Sequence, residues 1–430
     1  MRFPKSFLLM FFLLPFLSCE TQYKDIRINL YQIVAQNYDK VEIEVRDQYG
    51  KILKYIDSPK SSQYEIKIDE MPEKIQIFVR GKKGDSYVLE GISPIISSKN
   101  IERANILFIP TNRSVILPMV RSNISPDTWV SVYEKENEVM IFTEDGKIFS
   151  IDYLSWDIKF LDNFTPRKKF CVFSIEGKIF IAGGEINGEK TDLVEIFDKG
   201  VSGFQNLRYR RSDPKAIEWK DGVILVGGDD QGYCEFITGG GISSFQCGLT
   251  SGLSILPISK EVGLLKLFVY HKQKGQYEIV YITREQNSRV EVSYRETIVG
   301  IKRIGGEITR QGEKILIMGG YNENGEIKEC EIYDTNSETV SIAGTQEPKI
   351  DFSVINVQGN IFIIGGRRRD GKPISSVEIM RDCIFEDTGK TISFPPKPQN
   401  CAHSVFDSYI VLICQGAIPE ILPIASILTH

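Results

Sequence analysis

Apolar and polar residues alternate with a period of two through the N-terminal part of the chain. The clearest segments are 41–45, 64–68 and 74–79, and a turn-forming sequence occurs at 47–50. Such alternation is typical of antiparallel strands that bury one face. We therefore predict a small β-sandwich domain over residues 19–110.

A different pattern recurs from about residue 113 onward: an almost wholly apolar segment that ends in two glycines. The four clear copies end in Gly183 and Gly184, Gly227 and Gly228, Gly319 and Gly320, and Gly365 and Gly366. The first glycines of successive pairs stand 44, 92 and 46 residues apart, so the long interval holds two repeats. Weaker copies fall at 139–143, 268–270 and 410–416. Because both faces of a wholly apolar strand need cover, we expect these strands to lie between other sheets.

A second strand follows three of the glycine pairs, at 194–198, 330–334 and 377–382. Each copy has glutamate in its second position and aspartate at its end. Strand, paired glycines, loop and acidic second strand together resemble the kelch repeat. The resemblance implies an all-β chain in which residues 111–430 form a kelch-type β-propeller of four-stranded blades. The domain at 19–110 is similar to Ig-like or fibronectin-like modules.

The positions of the copies predict seven blades. Six is the alternative, if the weak copy at 139–143 is not a blade. After the last copy, the chain has room for about one more strand. The apolar segment 114–120 has no partner in the first blade, and we predict that it supplies the outer strand of the last one. Such closure joins the ends of the ring and removes an exposed strand edge.

The start of the chain has the features of an export signal. Arg2 and Lys5 precede an apolar run at 7–17, which is shorter than the roughly 20 residues that span a bilayer. The sequence 16–19 resembles a bacterial lipobox, which implies a signal peptide at 1–18 and lipidation of Cys19. An ordinary signal peptide with a coincidental cysteine is the alternative. We expect a lipid-anchored protein of the bacterial cell envelope, at the outer membrane or cell surface, that meets the membrane only through this anchor.

The charge of the chain bears on its partners. Lys and Arg number 52 and Asp and Glu 57, which gives a formal net charge of −5. Nucleic acids require a dominant basic field, so we expect no nucleic-acid partner. The sequence predicts no oligomeric state.

Two pairs of cysteines stand symmetrically about predicted turns. Cys234 and Cys247 flank a run of glycines, and Cys401 and Cys414 flank residues 407–408. If each stretch is a hairpin, the two members face each other at a distance that a disulfide bridges. Buried free thiols are the alternative. The sequence does not indicate which residues pair with Cys171, Cys330 and Cys383. No metal-binding spacing of cysteine and histidine occurs, and we predict no bound metal.

Two arginine-rich segments are candidate ligand-binding loops, because arginine binds carboxylates in a bidentate manner. The candidate residues are Arg210, Arg211, Arg367, Arg368 and Arg369. A solvated loop with no ligand is the alternative reading of each segment.

The sequence contains no phosphate-binding loop, nucleophile elbow or zinc-protease motif. We therefore predict no catalytic residues and no cofactor, and a propeller that binds a protein or a glycan. The alternative, implied by other exported propellers, is an enzyme acting on an acidic sugar, similar to a sialidase or a kelch-type sialic-acid epimerase. A structural role in the envelope, with no defined ligand, is a third hypothesis.

Overall fold

The computed structural model describes residues 24–32, 36–69, 71–98, 101–116, 130–135, 138–153, 156, 158–284, 289–381, 383–392, 401–406, 409–414 and 420–423. These residues form strands and turns and contain no α-helix, so the chain is all-β. Within these ranges, no helix has the length and apolar character needed to cross a membrane.

Eight strands form an N-terminal sheet: β1 (Lys24–Gln32), β2 (Lys40–Asp47), β3 (Ile52–Pro59), β4 (Gln63–Ile68), β5 (Lys74–Lys83), β6 (Ser86–Ile92), β7 (Ile96–Ser97) and β8 (Arg103–Pro110). Their order is β3-β2-β5-β6-β8-β1-β4, with β7 paired to β5. The pair β1–β8 is parallel, and the other pairs are antiparallel.

The predicted β-sandwich is therefore wrong in its architecture. Strand β8 pairs with β6 on one side and with β1 on the other, so all the strands belong to one sheet. This sheet is nearly closed and barrel-like. The alternating apolar residues face its interior, where Ile28, Ile43, Ile77 and Phe108 are fully buried. The period-two pattern identified the strands correctly, but it holds no information on whether a sheet curls or splits.

The described residues after β8 form a β-propeller. After β9 (Val115–Ile116), six blades follow in which four strands pair in chain order. Blade 1 contains β10 (Val130–Lys135), β11 (Glu138–Thr143), β12 (Lys147–Asp152) and β13 (Ile158–Asn163). Blade 2 contains β14 (Cys171–Ile175), β15 (Lys178–Ala182), β18 (Val194–Phe197) and β19 (Val201–Gly203), with a small hairpin of β16 (Glu185–Ile186) and β17 (Glu189–Lys190). Blade 3 contains β20 (Lys215–Trp219), β21 (Gly222–Val226), β22 (Tyr233–Thr238) and β23 (Gly241–Gln246).

Blade 4 contains β24 (Leu253–Glu261), β25 (Leu264–His271), β26 (Gln276–Arg284) and β27 (Val290–Ile298). Blade 5 contains β28 (Ile304–Gln311), β29 (Lys314–Asn322), β31 (Glu329–Asp334) and β32 (Thr339–Thr345), and the short β30 (Gly325–Glu326) pairs with β29. Blade 6 contains β33 (Ser353–Val357), β34 (Asn360–Ile364), β35 (Ser376–Arg381) and β36 (Ile384–Thr391).

The apolar strands that end in paired glycines are the second strands of their blades, β15, β21, β29 and β34. The weak copies at 139–143 and 268–270 lie in β11 and β25, so both are second strands as well. All five residues of β21 are buried. The prediction that these strands have both faces covered is confirmed, because neighbouring blades pack on them. Leu225 of blade 3, for example, shares one core with Phe180 of blade 2.

A further sheet combines the two ends of the propeller sequence. It contains β37 (Cys401–Phe406), β38 (Tyr409–Cys414), β39 (Glu420–Pro423) and β9, in that order. The predicted use of the segment 114–120 as an outer strand is confirmed for Val115 and Ile116, which pair with β39. Ile410 packs in the core of blade 6, and Val411 packs in the core that contains blade 1. This sheet therefore lies between the last and the first of the six consecutive blades.

The N-terminal sheet packs directly against the propeller. Leu107 of the sheet shares a hydrophobic core with Ile141 of blade 1. At the edge of this contact, Lys390 Nζ donates to Glu90 Oε1 over 2.9 Å, and both side chains are only 4% exposed. A lone buried charge is costly, so this pair fixes the sheet against blade 6.

Candidate functional site on the loop face of the propeller

One end of the propeller carries the loops after the second strands and the loops before the first strands of the blades. They share an end because successive connections of an antiparallel meander alternate between its two ends. We call this end the loop face and define it by residues 144–146, 164–170, 183–193, 204–214, 227–232, 247–252, 272–275, 299–303, 319–328, 346–352 and 365–375. Both arginine-rich segments lie in it.

The paired glycines shape this face. All eight have positive φ, between 63° and 109°, which is a conformation that residues with a Cβ rarely adopt. The second glycine of a pair also abuts the loop before the first strand. A Cβ on Gly184 would lie 2.7 Å from the carbonyl oxygen of Lys168, and one on Gly228 would lie 2.4 Å from that of Ser212. The glycines therefore let two loops of the face pack backbone to backbone.

A buried ion pair holds the same two loops in blade 3. Arg211 precedes β20, and its Nη2 donates to Glu235 Oε2 of β22 over 2.6 Å. Both side chains are 0% exposed. Arg211 Nη1 donates to the carbonyl oxygen of Gly227 over 2.9 Å, and Glu235 Oε1 accepts from the backbone N–H of Arg208. One pair thus ties the loop before β20 to the first glycine after β21.

Three more blades contain an equivalent ion pair. The pairs are Arg167–Glu195 in blade 2, Arg303–Glu331 in blade 5 and Lys349–Glu378 in blade 6. The basic side chain is 0% exposed in every pair. In each blade the basic residue stands 16 residues before the first glycine of the pair. In blades 2, 5 and 6, the glutamate of the ion pair is the one in the second position of the acidic strand. The sequence pattern therefore indicated the glutamate of these three pairs but not its basic partner.

Blade 4 has a different set of contacts around its third-strand glutamate. Its third-strand carboxylate, Glu278, accepts from His271 Nε2 at 2.6 Å and from Arg295 Nη2 at 2.8 Å. Both partners come from blade 4 itself, from β25 and β27. Burial alone would raise the pKa of Glu278, but the hydrogen bond from His271 and the charge of Arg295 leave it lowered.

Burial shifts the pKa of one residue in each of two Arg–Glu pairs. Removal from water raises the pKa of Glu235, although the charge of Arg211 opposes the shift. In blade 2, burial lowers the pKa of Arg167, and its contacts with Glu195 oppose that shift. Removing a charged group from water disfavours its charged form, and the partners of Glu235 and Arg167 oppose this effect.

The two candidate arginines of the first segment differ in exposure. Arg211 is fully buried and committed to its blade, and we do not retain it as a ligand-binding residue. Arg210 is exposed. Beside it, the rings of Tyr209 and Tyr233 stack in parallel with centroids 4.0 Å apart, so the segment presents an aromatic pair next to a cation.

The second segment is exposed, and its charge is largely compensated. Arg367 Nε donates to Asp351 Oδ2 over 2.6 Å, and Arg368 forms an ion pair with Glu347. Both acids belong to the loop before β33. Acidic neighbours thus neutralise two of the three arginines.

The third arginine of this segment is the most available. The guanidinium of Arg369 lies 5.2 Å from the centroid of the Tyr321 ring. Its backbone N–H donates to Glu326 Oε1 over 2.5 Å. This places a cation and an aromatic ring together at the junction of blades 5 and 6, next to the paired arginines.

Disulfides join parts of the propeller. Cys234 and Cys247 form a disulfide across the β22–β23 hairpin, with Cα atoms 5.6 Å apart. Cys401 and Cys414 stand opposite each other in the register of β37 and β38, but their side chains lie outside the described residues. Cys171 is a free thiol.

Sequence reasoning gave no partner for Cys330 and Cys383, which form a second disulfide in the structure. Cys330 lies in β31 of blade 5, and Cys383 immediately precedes β36 of blade 6. The bond joins two blades, so no hairpin symmetry in the sequence indicates it.

Two further features from the sequence concern Cys19 and metal binding. Cys19, the predicted lipidation site, lies outside the described residues. No group of three or more His, Cys, Asp or Glu side chains that could hold a metal ion occurs in the described part of the chain.

No protein-family model matches this sequence, and no curated protein matches it. Among 504 matching chains of solved structures is one titled "Structure of YjhT". It is 11% identical, and the alignment covers 64% of this chain and 100% of that chain, with a TM-score of 0.44. Similarity at this level carries no functional argument.

Proposed function

We propose that this chain is a lipoprotein of the bacterial cell envelope, held there by a lipid on Cys19, whose propeller binds a protein or glycan through the loop face. The observation that carries this proposal is the set of buried cation–glutamate pairs. In four blades they tie the loop before the first strand to the third strand. Variable side chains on loops held by a rigid frame are a common basis for binding.

We further propose that the propeller is of the kelch type and has seven blades. The sheet β37-β38-β39-β9 would be the seventh, because it has four antiparallel strands and packs between blades 6 and 1. A hydrogen bond from the Val405 backbone N–H to Glu134 of blade 1, at 2.8 Å, supports this position. The kelch assignment rests on the glycine pairs and on the glutamates that the cations engage.

The charge of the loop face favours binding over the alternative of an enzyme acting on an acidic sugar. Such an enzyme needs several cations that converge on one carboxylate. Arg367 and Arg368 are each paired with an acid of the chain, and Arg211 is buried. A face with paired charges of both signs suits a partner with matched charges of both signs.

Site-specific crosslinking in the native envelope tests this function. A photoreactive amino acid replaces Arg369 on the loop face, and a matched variant carries it at Lys178, an exposed residue at the opposite end of blade 2. We expect a discrete crosslinked species only from position 369. Equal crosslinking from both positions, or none from either, would contradict binding through the loop face.

The anchor is tested separately. Metabolic labelling with palmitate should mark the wild-type protein and leave Cys19→Ala unlabelled. Label that persists in the variant would show that Cys19 is not the lipid-bearing residue.

A further inference from the structure

One end of the N-terminal sheet lies where the chain enters it. Strand β1 starts at this end, and because β8 is parallel to β1, β8 starts there too. The antiparallel pairs β8–β6, β6–β5, β5–β2 and β2–β3 then bring the start of β5 and the β2–β3 turn to the same end. Pro110, from which the chain continues to the propeller, lies at the opposite end. We call the first end the entry end and define it by residues 24–25, 47–52, 69, 71–74, 94–98 and 101–103.

Exposed apolar side chains occur together at the entry end. Tyr49 is 85% exposed, Ile52 is 50% exposed and Ile95 is 45% exposed. The β2–β3 turn and residues 95–96 are joined by the start of β5, which pairs with both β2 and β7, so they lie about 10 Å apart across the strands. Single exposed apolar side chains are common on protein surfaces, whereas a group of them in one place marks an interaction site.

The β2–β3 turn holds Tyr49 in a defined position. Asp47 Oδ1 accepts hydrogen bonds from the backbone N–H groups of Tyr49 and Lys51, both over 2.9 Å. Gly50 has a φ of 84°, which glycine adopts at no steric cost. The turn therefore satisfies its own backbone donors and leaves the Tyr49 ring in solvent.

The chain between Cys19 and the entry end is short. Residues 20–23 are all that separates Cys19 from Lys24, the first residue of β1. A fully extended chain covers at most roughly 18 Å over these five Cα–Cα steps. A lipid on Cys19 would therefore hold the entry end within that distance of the membrane. Tyr31 lies seven residues further along β1 and thus about 23 Å from its start.

The charge of the entry end decides which lipid surface fits it. Asp69 and Glu73 accompany Lys74 there, and Glu102 accompanies Arg103. Recognition of anionic lipids requires a cluster of basic residues, and the described residues of this end have no basic excess. An apolar contact with zwitterionic lipid suits such an end better than an electrostatic one.

We infer that the entry end contacts a zwitterionic lipid surface, with Tyr49 and Ile52 in the headgroup layer. An aromatic ring with a hydroxyl suits this layer, and an isoleucine is stabilised by leaving water. The contact rests on the proposed lipidation of Cys19 and adds a second attachment to it. The anchor is then not the sole contact with the membrane, in contrast to the expectation from the sequence.

Quenching of tryptophan fluorescence by brominated lipid tests this inference. The full lipidated chain is reconstituted into phosphatidylcholine vesicles whose acyl chains carry bromine near the headgroup, and the vesicles with bound protein are collected by flotation. Tyr49→Trp places a reporter at the entry end. Tyr31→Trp is the matched control, because Tyr31 is 51% exposed on the same sheet but far from that end. The wild-type signal is subtracted from that of each variant.

We expect bromine to reduce the added fluorescence of Tyr49→Trp about twofold or more and to leave that of Tyr31→Trp unchanged, since about 23 Å separates position 31 from the start of β1. Equal quenching of both variants, or of neither, would overturn the lipid contact. Flotation itself would still demonstrate the anchor in that case, so the two proposals fail separately. Protein that does not float would contradict the anchor and the contact together.

A second copy of the chain is the competing occupant of the entry end. In that case the fluorescence of Tyr49→Trp would change with protein concentration in detergent, without vesicles. This result, combined with the absence of quenching by bromine, would overturn the lipid contact in favour of self-association.

Discussion

Arg211 and Glu235 form an ion pair in which neither side chain has any exposed surface, with Nη2 2.6 Å from Oε2. The pair joins the loop before β20 to the third strand of its blade and also engages the carbonyl of Gly227. Breaking a buried pair from one side leaves an unpaired charge, which costs more than the pair itself contributes.

Arg211→Ala should therefore lower the free energy of unfolding by about 3–5 kcal/mol, because it leaves the buried Glu235 carboxylate without its ionic partner. Urea denaturation followed by the fluorescence of Trp219, a buried residue of the same blade, measures the change. The matched control is Arg210→Ala, which removes an adjacent but exposed arginine and should change stability by less than about 0.5 kcal/mol. Equal effects of the two variants would show that the pair does not hold the blade.

In blade 6 one carboxylate oxygen of the ion pair lacks a donor, and the cation of this pair is a lysine. Lys349 Nζ reaches Glu378 Oε1 at 2.7 Å, but Glu378 Oε2 and both polar atoms of the buried Gln346 amide have no partner among the described residues. An arginine has more donors than a lysine. Lys349→Arg should therefore raise the free energy of unfolding by about 0.5–1.5 kcal/mol, the usual contribution of a hydrogen bond.

The reciprocal variant is Arg303→Lys in blade 5, where the arginine also donates to the carbonyl of Gly319 at 2.8 Å. This change should lower stability, since the carbonyl loses its donor. Differential scanning calorimetry of both variants measures the two shifts. If Lys349→Arg destabilised the protein as much as Arg303→Lys does, blade 6 would not lack a hydrogen-bond donor that an arginine can supply.

The two disulfides should contribute unequally. Cys330 and Cys383 are separated by 53 residues and join two blades, whereas Cys234 and Cys247 are separated by 13 within one hairpin. Loop-closure entropy gives about 4 kcal/mol for the longer loop and about 3 kcal/mol for the shorter. The double variant Cys330→Ala/Cys383→Ala should therefore lose more stability than Cys234→Ala/Cys247→Ala in chemical denaturation. Non-reducing peptide mapping of the wild type should recover both linkages, and a different pairing would contradict the arrangement of blades 5 and 6.

Blade 4 makes the fold sensitive to acid. The pKa of Glu278 is lowered because, despite burial, His271 and Arg295 stabilise its charged form. A carboxylate with a lowered pKa contributes stability above its unfolded-state pKa, and this is lost as the pH falls through the folded-state value. Between about pH 5 and pH 3, the wild-type melting temperature should fall more steeply than that of Glu278→Gln. Parallel curves would show that Glu278 does not contribute to the acid sensitivity.

The repeated strands of the propeller could be predicted because they obey a local rule. A strand such as β21 is apolar at every position, ends in two glycines with positive φ and needs cover on both faces, and each of these properties is visible in the sequence. The glutamates of the acidic strands were visible too. Their cations were not recognised, since Arg303 and Lys349 lie in polar loops and resemble ordinary surface residues until the 16-residue spacing is noticed.

Contacts between distant segments could not be predicted in this way. The curling of the N-terminal sheet depends on the parallel pairing of β1 with β8, which are separated by most of the domain. The Cys330–Cys383 bond depends on how neighbouring blades align. Burial of Arg211 likewise followed from packing that its arginine-rich context did not reveal.

We propose that β9 closes the propeller ring and that the sheet β37-β38-β39-β9 is its seventh blade. Val115 and Ile421 are register partners across β9 and β39, so their Cα atoms should lie about 4.5–5.5 Å apart, within reach of a disulfide. The double variant Val115→Cys/Ile421→Cys should form this disulfide under mild oxidation, as detected by non-reducing peptide mapping. The control Val115→Cys/Tyr409→Cys, which places the second cysteine one strand further away, should not. Efficient linkage of 115 to 421 alone is the result we predict, and no linkage between them, or equal linkage in the control, would contradict ring closure.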